Sequence, residues 1–161
     1  MKLIQIAAAV MIDRIVHLIE TQSHHLTSQV VERLRDSFVT PKYENVPPEE
    51  LRRSVYEVYR HLGNWLLTKN EPDLARWFLR TGSERARQNV PFSQVVAATV
   101  LIKVTLCEAF KNGEAEERVG KAYDDVQTLQ MLGEFFDRVI YYLAVGYERR
   151  SPRSKDDKKA A

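Results

Sequence analysis

Apolar residues recur along most of this chain at the spacing of an α-helix. One stripe steps by 4, 3, 4 and 3 residues through Leu51, Val55, Val58, Leu62 and Trp65. A second stripe consists of Leu74, Trp77, Phe78 and Thr81. Because residues three and four apart lie on one face of a helix, both stripes predict amphipathic helices with one face in a core.

The segment from Phe92 to Phe110 is apolar nearly all round and rich in β-branched residues. That composition would also suit a strand, but nineteen residues without Gly or Pro exceed the length of a typical strand. We therefore predict a central, buried helix here. We expect no stretch to reach the roughly 20 apolar residues of a membrane span.

Residues 119–147 carry the most regular pattern, with apolar positions at alternating steps of 3 and 4. Such a heptad stripe is typical of a helix that packs against a partner helix. A second apolar line through Leu132, Phe135 and Val139 widens it, so a broad core stripe within one chain explains the pattern equally well. On the first interpretation, the dimer interface consists of Val126, Leu129, Phe136, Ile140, Leu143 and Tyr147.

Prolines and one glycine stop divide the chain into five long segments. The marks are the prolines at 41, 47, 48, 72, 91 and 152 and the sequence Lys111-Asn112-Gly113. Proline suits a first helical turn and glycine the position just past a helix end. Acidic residues follow three of the marks, where the helix dipole favours them, at Glu49-Glu50, at Glu71 and Asp73, and at Glu114, Glu116 and Glu117. No strand candidate survives, so we predict an all-α bundle of five main helices.

The N-terminal sequence MKLIQIAAAVMI has features of a secretory signal. Gln5 interrupts its apolar run, however, and the run continues through Asp13-Arg14 into further apolar residues. We therefore favour one amphipathic helix over a cleaved leader.

Composition is that of a soluble globular protein, with 44% apolar and 29% charged residues. The net charge of +2 is unevenly distributed: residues 149–161 hold six Lys or Arg against two Asp, so the body carries −2. We expect one helical domain over 1–148 and a basic, disordered tail over 149–161. An anionic partner for the tail is an alternative, but the overall charge does not indicate a nucleic-acid binder.

No pattern of catalytic residues is found. The Glu-x-x-His pairs of helical metal sites are absent, and the single cysteine excludes a multi-cysteine site. Cys107 lies in the most apolar segment and is interpreted as a core cysteine. We therefore expect no enzyme, no metal and no cofactor.

Four arginines gather where two predicted helices join. They are Arg76, Arg80, Arg85 and Arg87, followed by Asn89 and Pro91. One interpretation is a helix corner whose arginines pair with Glu84, Asp73 or backbone carbonyls. The other is a site for an anion or a partner carboxylate, which the guanidinium fork can bind through two hydrogen bonds.

These motifs, in this order, resemble the N-terminal domain of the RsbR-type co-antagonists, which are stressosome proteins. The resemblance spans roughly residues 10–149 and rests on Tyr43, Val46-Pro47-x-Glu49-Glu50-Leu51-Arg52, Leu62, Leu66, Arg85-Ala86-x-x-x-Val90-Pro91-x-Ser93-x-Val95, Phe135-Phe136-Asp137 and Tyr147-Glu148. It implies a globin-like, haem-free fold that forms dimers and serves as a sensory or interaction module. In related sensor globins a haem-binding histidine precedes a similar corner; here Arg85 is at that place and residues 83–90 contain no histidine.

The resemblance also implies a last helix that leads into an output domain, whereas only the basic tail follows Tyr147 here. We therefore expect a cytoplasmic, non-catalytic, dimeric regulatory module that acts in trans on a signalling partner or responds to a small ligand. The alternative is a globin-like carrier or sensor of a ligand such as haem, with His61 or His17 as its ligand.

Overall fold

The computed structural model describes residues 2–113 and 121–150, and the side chains of Ile4, Ala7, Gly113 and residues 121–125 are not described. Five α-helices make up nearly all of it: α1 (Lys2–Asp36), α2 (Pro48–Thr68), α3 (Glu71–Arg87), α4 (Phe92–Gly113) and α5 (Lys121–Arg150). A short 3-10 helix, Pro41–Asn45, precedes α2. No strand occurs in the described ranges, so the predicted all-α bundle of five helices is confirmed.

The helices begin and end at the predicted marks. Pro48 lies in the first turn of α2, Pro72 in that of α3, and α4 begins directly after Pro91 and ends at Gly113. The Asn70 side chain accepts a hydrogen bond from the Asp73 backbone N–H and so caps α3. Glu114, Glu116 and Glu117, predicted for the first turn of the last helix, lie outside the described residues.

Helices α1 and α5 extend into the two ends of the chain, which the sequence analysis treated as a possible leader and a tail. The N-terminal segment is helical from Lys2, continuous with the rest of α1. At the other end α5 runs through Arg149 and Arg150, the first two residues assigned to the tail. The remaining tail residues, 151–161, are outside the described part of the chain.

The core lies between all five helices, and α3 and α5 share the most extensive contact. At their crossing the backbones touch: a Cβ on Gly82 would clash with the carbonyl oxygen of Leu143, and one on Gly146 with that of Leu79. Glu71 fixes the other end of the pair, because its carboxylate accepts hydrogen bonds from Tyr142 (2.6 Å) and Arg138 (3.1 Å). These contacts make α3 and α5 one closely packed unit.

Polar contacts join α4 to the remaining helices. The buried Tyr59 hydroxyl of α2 donates to the Ile102 carbonyl (2.9 Å), and Arg33 of α1 donates to Thr105 (3.0 Å) and Glu108 (2.8 Å). The buried Tyr59 hydroxyl therefore has a partner on the neighbouring helix, as burial of a polar group requires.

Candidate functional site

The four predicted arginines do not form one cluster. Arg76, Arg80 and Arg87 are exposed and each lies near a carboxylate of its own helix: Arg76 near Asp73 (3.2 Å), and Arg80 and Arg87 near Glu84 (3.5 and 4.0 Å). Exposed pairs of this kind stabilise a fold by about 0–1 kcal/mol. The structure thus places three of the four in surface pairs and separates Arg85 from them.

Arg85 is buried, with 3% of its side chain exposed. Its Nη1 donates to Glu50 Oε1 (3.0 Å) and Gln88 Oε1 (2.9 Å), and its Nη2 donates to Ser54 Oγ (2.9 Å). The guanidinium also lies 5.9 Å from the ring centre of Tyr43. The buried charge of Arg85 thus has a carboxylate partner and further hydrogen bonds. A protein tolerates the burial of a charge under these conditions.

The chain reaches this geometry through a tight corner after α3. Asn89 adopts a positive φ of 57°, the left-handed conformation that asparagine tolerates, and the Val90 N–H donates back to the Arg85 carbonyl (3.1 Å). Gln88 Nε2 donates to both oxygens of Glu50 (2.9 and 3.0 Å), and its carbonyl accepts from Asn45 (2.9 Å). The corner therefore holds Glu50 of α2 against the end of α3.

An apolar cavity of about 40 Å³ lies beside Arg85, between α2, α3, α4 and α5. Its lining combines that one charged side chain with Tyr43, Ser54, Thr81 and Thr99 and with apolar residues that include Val55, Val58, Phe78, Ile102, Val139 and Leu143. Burial raises the pKa of Tyr43 above its usual value, and the positive charge of Arg85 opposes part of that shift. The phenol is therefore neutral at physiological pH.

The predicted dimer stripe divides between the core and the surface of α5. Phe136 and Leu143 are buried in the core of their own chain, and half-buried Tyr147 donates its hydroxyl to the Val90 carbonyl (2.8 Å). Ile140 is half-buried, whereas Val126 and Leu129 are 64% and 48% exposed. Phe136 and Leu143 therefore face the core, so only the other members are open to a partner in this packing.

Helix α4 is less buried than its sequence predicts. Its segment Phe92–Asn112 has a mean hydropathy of 1.5 and, by length and composition alone, is long and apolar enough to span a membrane. This finding corrects the expectation that no stretch of the chain is apolar over the length of a membrane span. It contributes Val95, Ala98, Ile102 and Leu106 to the core, as central helices of soluble proteins do, yet only 33% of its most apolar window is buried.

The unburied part of α4 forms a surface that sequence reasoning missed. Val100, Val104 and Cys107 follow one another on one face at steps of 4 and 3, and the two valines are exposed. Cys107 and Leu129 line one small cavity between α4 and α5, so this face continues into Leu129 and Val126. We call these five residues the α4–α5 surface. The valine spacing was visible in the sequence, but a helix apolar nearly all round hides which side faces the core.

Comparison with known families identifies the chain. The sequence model of the RsbT co-antagonist protein rsbRD N-terminal domain matches residues 24–157. The chain belongs to this family. The match confirms the resemblance to RsbR-type N-terminal domains and includes the Arg85 corner and all of α5. Among curated proteins and solved structures, none matches the chain.

This rsbRD N-terminal domain belongs to a regulatory family, not to a family of known enzymes. Within the described ranges, no three His, Cys, Asp or Glu residues come together as a metal site requires. Burial raises the pKa of the half-buried Cys107 thiol, which keeps it protonated and weakly nucleophilic.

The histidines of this rsbRD N-terminal domain do not form a haem site. His17 is exposed on α1, and buried His61 lies between the rings of Trp77 (5.3 Å) and Phe78 (5.8 Å). Neither histidine lines the cavity beside Arg85, whose volume of about 40 Å³ holds a few atoms and not a porphyrin. His17, His61 and the cavity beside Arg85 therefore do not fit haem, and the haem alternative receives no support.

Proposed function

We propose that this rsbRD N-terminal domain is a non-catalytic sensory module that forms a homodimer through the α4–α5 surface and passes its signal to a separate signalling protein in the cytoplasm. The globin-like arrangement implied by the resemblance belongs to the same proposal. The family places the chain among regulatory co-antagonist domains. The observation that carries the dimer is the exposed apolar surface formed by two adjacent helices.

An apolar surface supports association for a simple reason. Val100 and Val104 on α4 and Val126 and Leu129 on α5 remain exposed in the single chain. Contiguous exposed apolar residues mark interaction sites, because covering them removes apolar area from water. A two-fold dimer would place the same four residues of each copy against the other, which is the commonest symmetry of soluble homo-oligomers.

Sedimentation at low micromolar concentration tests the dimer. We expect the wild-type chain to sediment as a dimer and Val104→Glu and Val126→Glu to sediment as helical monomers, because a glutamate in the interface would lose its hydration. Leu67→Glu is the control, since Leu67 is as exposed as Val126 but lies on α2. A monomeric wild type, or a dimer that both glutamate variants leave intact, would contradict the proposal.

The proposed sensory mechanism is a shift between two packings of the helices. It is supported by the route from the Arg85 corner to α5: Gly82 precedes Arg85 by three residues and packs against the Leu143 backbone. A change at the corner would therefore reach α5 directly. Affinity capture from the native host tests the partner: we expect a signalling protein to be retained by the wild-type chain, and its absence would contradict this part of the proposal.

A further inference from the structure

The buried guanidinium of Arg85 and the adjoining apolar cavity together have the two parts of a carboxylate-binding site. We propose that this cavity binds a small monocarboxylate with a short apolar chain, and that the carboxylate of the ligand replaces Glu50 on Arg85. The inference rests on the proposed sensory function and specifies the ligand class of that site.

Arg85 is built to hold a carboxylate. Its side chain is 3% exposed, so its charge depends on a bound anion, and the planar guanidinium presents its donors in the geometry that a carboxylate accepts. Ser54 Oγ accepts from Arg85 Nη2 and retains its own proton for a second donor contact. The hydroxyls of Thr81 and Thr99 already donate to carbonyls of their own helices, at Trp77 (3.0 Å) and Val95 (2.9 Å). Arg85 and Ser54 therefore provide donors for an anion in this cavity.

Glu50 can leave this site without becoming a buried, unpaired charge. Its side chain is 22% exposed and lies in the first turn of α2, so a small rotation would return the carboxylate to water. The helix dipole would still favour its negative charge there. A ligand carboxylate would keep the charge of Arg85 balanced throughout, and Gln88 Nε2, which now donates to both Glu50 oxygens, would be free to donate to the ligand.

The cavity volume sets the size of the apolar chain. Val55, Val58, Phe78, Ile102 and Leu143 are among the apolar side chains of its wall. An apolar cavity of about 150 Å³ is known to hold benzene, so a cavity of about 40 Å³ accommodates roughly one or two carbon atoms. Glu50 is not among the residues that line the cavity, so a carboxylate in its place, with the carbon next to it, would lie outside the cavity. The ligand is therefore of the size of propionate or butyrate.

Titration with butyrate, followed by calorimetry and by the Arg85 Nε–Hε signal in NMR, tests the site. We expect wild-type protein to bind butyrate and Glu50→Gln to bind it at least tenfold more tightly, because the substitution removes the competing carboxylate. Glu84→Gln is the control, since it makes the same change at a carboxylate that lies near only the exposed Arg80 and Arg87. Butyramide, which has the same shape without the charge, should bind to neither protein.

A second variant probes the cavity itself. Val55→Leu adds one methylene to the wall beside Arg85 and leaves the Arg85 hydrogen bonds in place; we expect it to lose butyrate binding and to keep the wild-type fold. Equal butyrate affinity in Glu50→Gln and Glu84→Gln, equal binding of butyramide, or an unchanged Arg85 signal in wild-type protein would overturn the inference. If butyrate fails while the α4–α5 surface variants dissociate the dimer, the ligand class is wrong and the proposed function stands.

Discussion

Arg85 and His61 are both buried at the α2–α3 side of the bundle, and they meet the cost of burial in opposite ways. The Arg85 guanidinium is compensated for the loss of water because Glu50, Gln88 and Ser54 accept its hydrogen bonds. His61 Nε2 has no hydrogen-bond partner and lies 3.7 Å from the nearest Glu57 oxygen. The first arrangement predicts a loss of stability when the charge is removed, and the second predicts sensitivity to pH.

Replacement of Arg85 by methionine tests the buried pair. The apolar side chain loses the hydrogen bonds to Glu50, Gln88 and Ser54 and leaves the Glu50 carboxylate without its cationic partner, although Gln88 still donates to Glu50 and Glu50 can regain water. We expect Arg85→Met to lower the free energy of unfolding by about 2–4 kcal/mol. Arg76→Met, which removes an exposed surface pair, should change it by less than about 0.5 kcal/mol. Urea unfolding measures both, and equal effects would contradict the structural role of Arg85.

The second residue-scale prediction concerns acid. Burial lowers the pKa of His61 below its usual value, Arg60 adds to the shift, and Glu57 and Asp73 oppose it. The unfolded chain therefore binds a proton at pH values where folded His61 stays neutral, and the free energy of unfolding should fall as pH drops below about 6.5 towards the folded pKa.

Urea unfolding at pH 7.5 and 5.5 measures this difference. We expect His61→Phe, which keeps a ring between Trp77 and Phe78, to lose less stability on acidification than the wild type. His17→Gln should follow the wild type, since an exposed side chain on α1 leaves the surroundings of His61 unchanged. Identical acid sensitivity in wild type and His61→Phe would show that other groups control it.

At the scale of the elements, the contact of α3 with α5 depends on two glycines. A methyl group on Gly82 or Gly146 would meet backbone atoms of the opposite helix, which cannot move aside as a flexible side chain can. We expect Gly82→Ala and Gly146→Ala each to cost at least about 2 kcal/mol of stability. Gly63→Ala is the control: its Cβ would meet only Ile19 Cδ1 at 3.9 Å, so the gain in helix propensity, up to about 1 kcal/mol, should dominate. We expect thermal unfolding to show Gly63→Ala as the most stable of the three variants. A Gly82→Ala or Gly146→Ala variant that is at least as stable would contradict the close backbone contact between α3 and α5.

Helix ends could be predicted from the sequence because their causes are local. Pro48, Pro72 and Gly113 act through the backbone of the residue itself and of its neighbours. The partner of Arg85 could not be predicted in this way, because Glu50 lies 35 residues earlier and meets it only through the packing of α2 on α3. The α5 stripe left two interpretations open for a related reason: a 3–4 spacing identifies one face of a helix and not whether its neighbour belongs to the same chain.

Across the whole molecule, α5 links the candidate site to the candidate interface. Its buried face supplies Leu143 and Val139 to the cavity beside Arg85, and its exposed face supplies Val126 and Leu129 to the α4–α5 surface. Side chains on the two faces of one helix move together when that helix shifts. Occupancy of the cavity and association of two chains would therefore be thermodynamically coupled if both proposals hold.

The described side chains before Met11 contribute little to the core. Leu3 and Ile6 are exposed, Met11 is the first core residue among the described side chains of α1, and the family match begins only at residue 24. Because those apolar side chains bury little area, removal of residues 1–9 should lower the free energy of unfolding by less than about 1 kcal/mol. Removal of residues 1–19 deletes the buried side chains of Met11, Ile15 and Ile19. Because burial of each such side chain stabilises the fold by about 1.5–3 kcal/mol, the free energy of unfolding should fall by roughly 4 kcal/mol or more. Urea unfolding at one low protein concentration measures both shortened chains; a loss from the shorter deletion as large as that from the longer one would show that residues 1–9 are covered in solution.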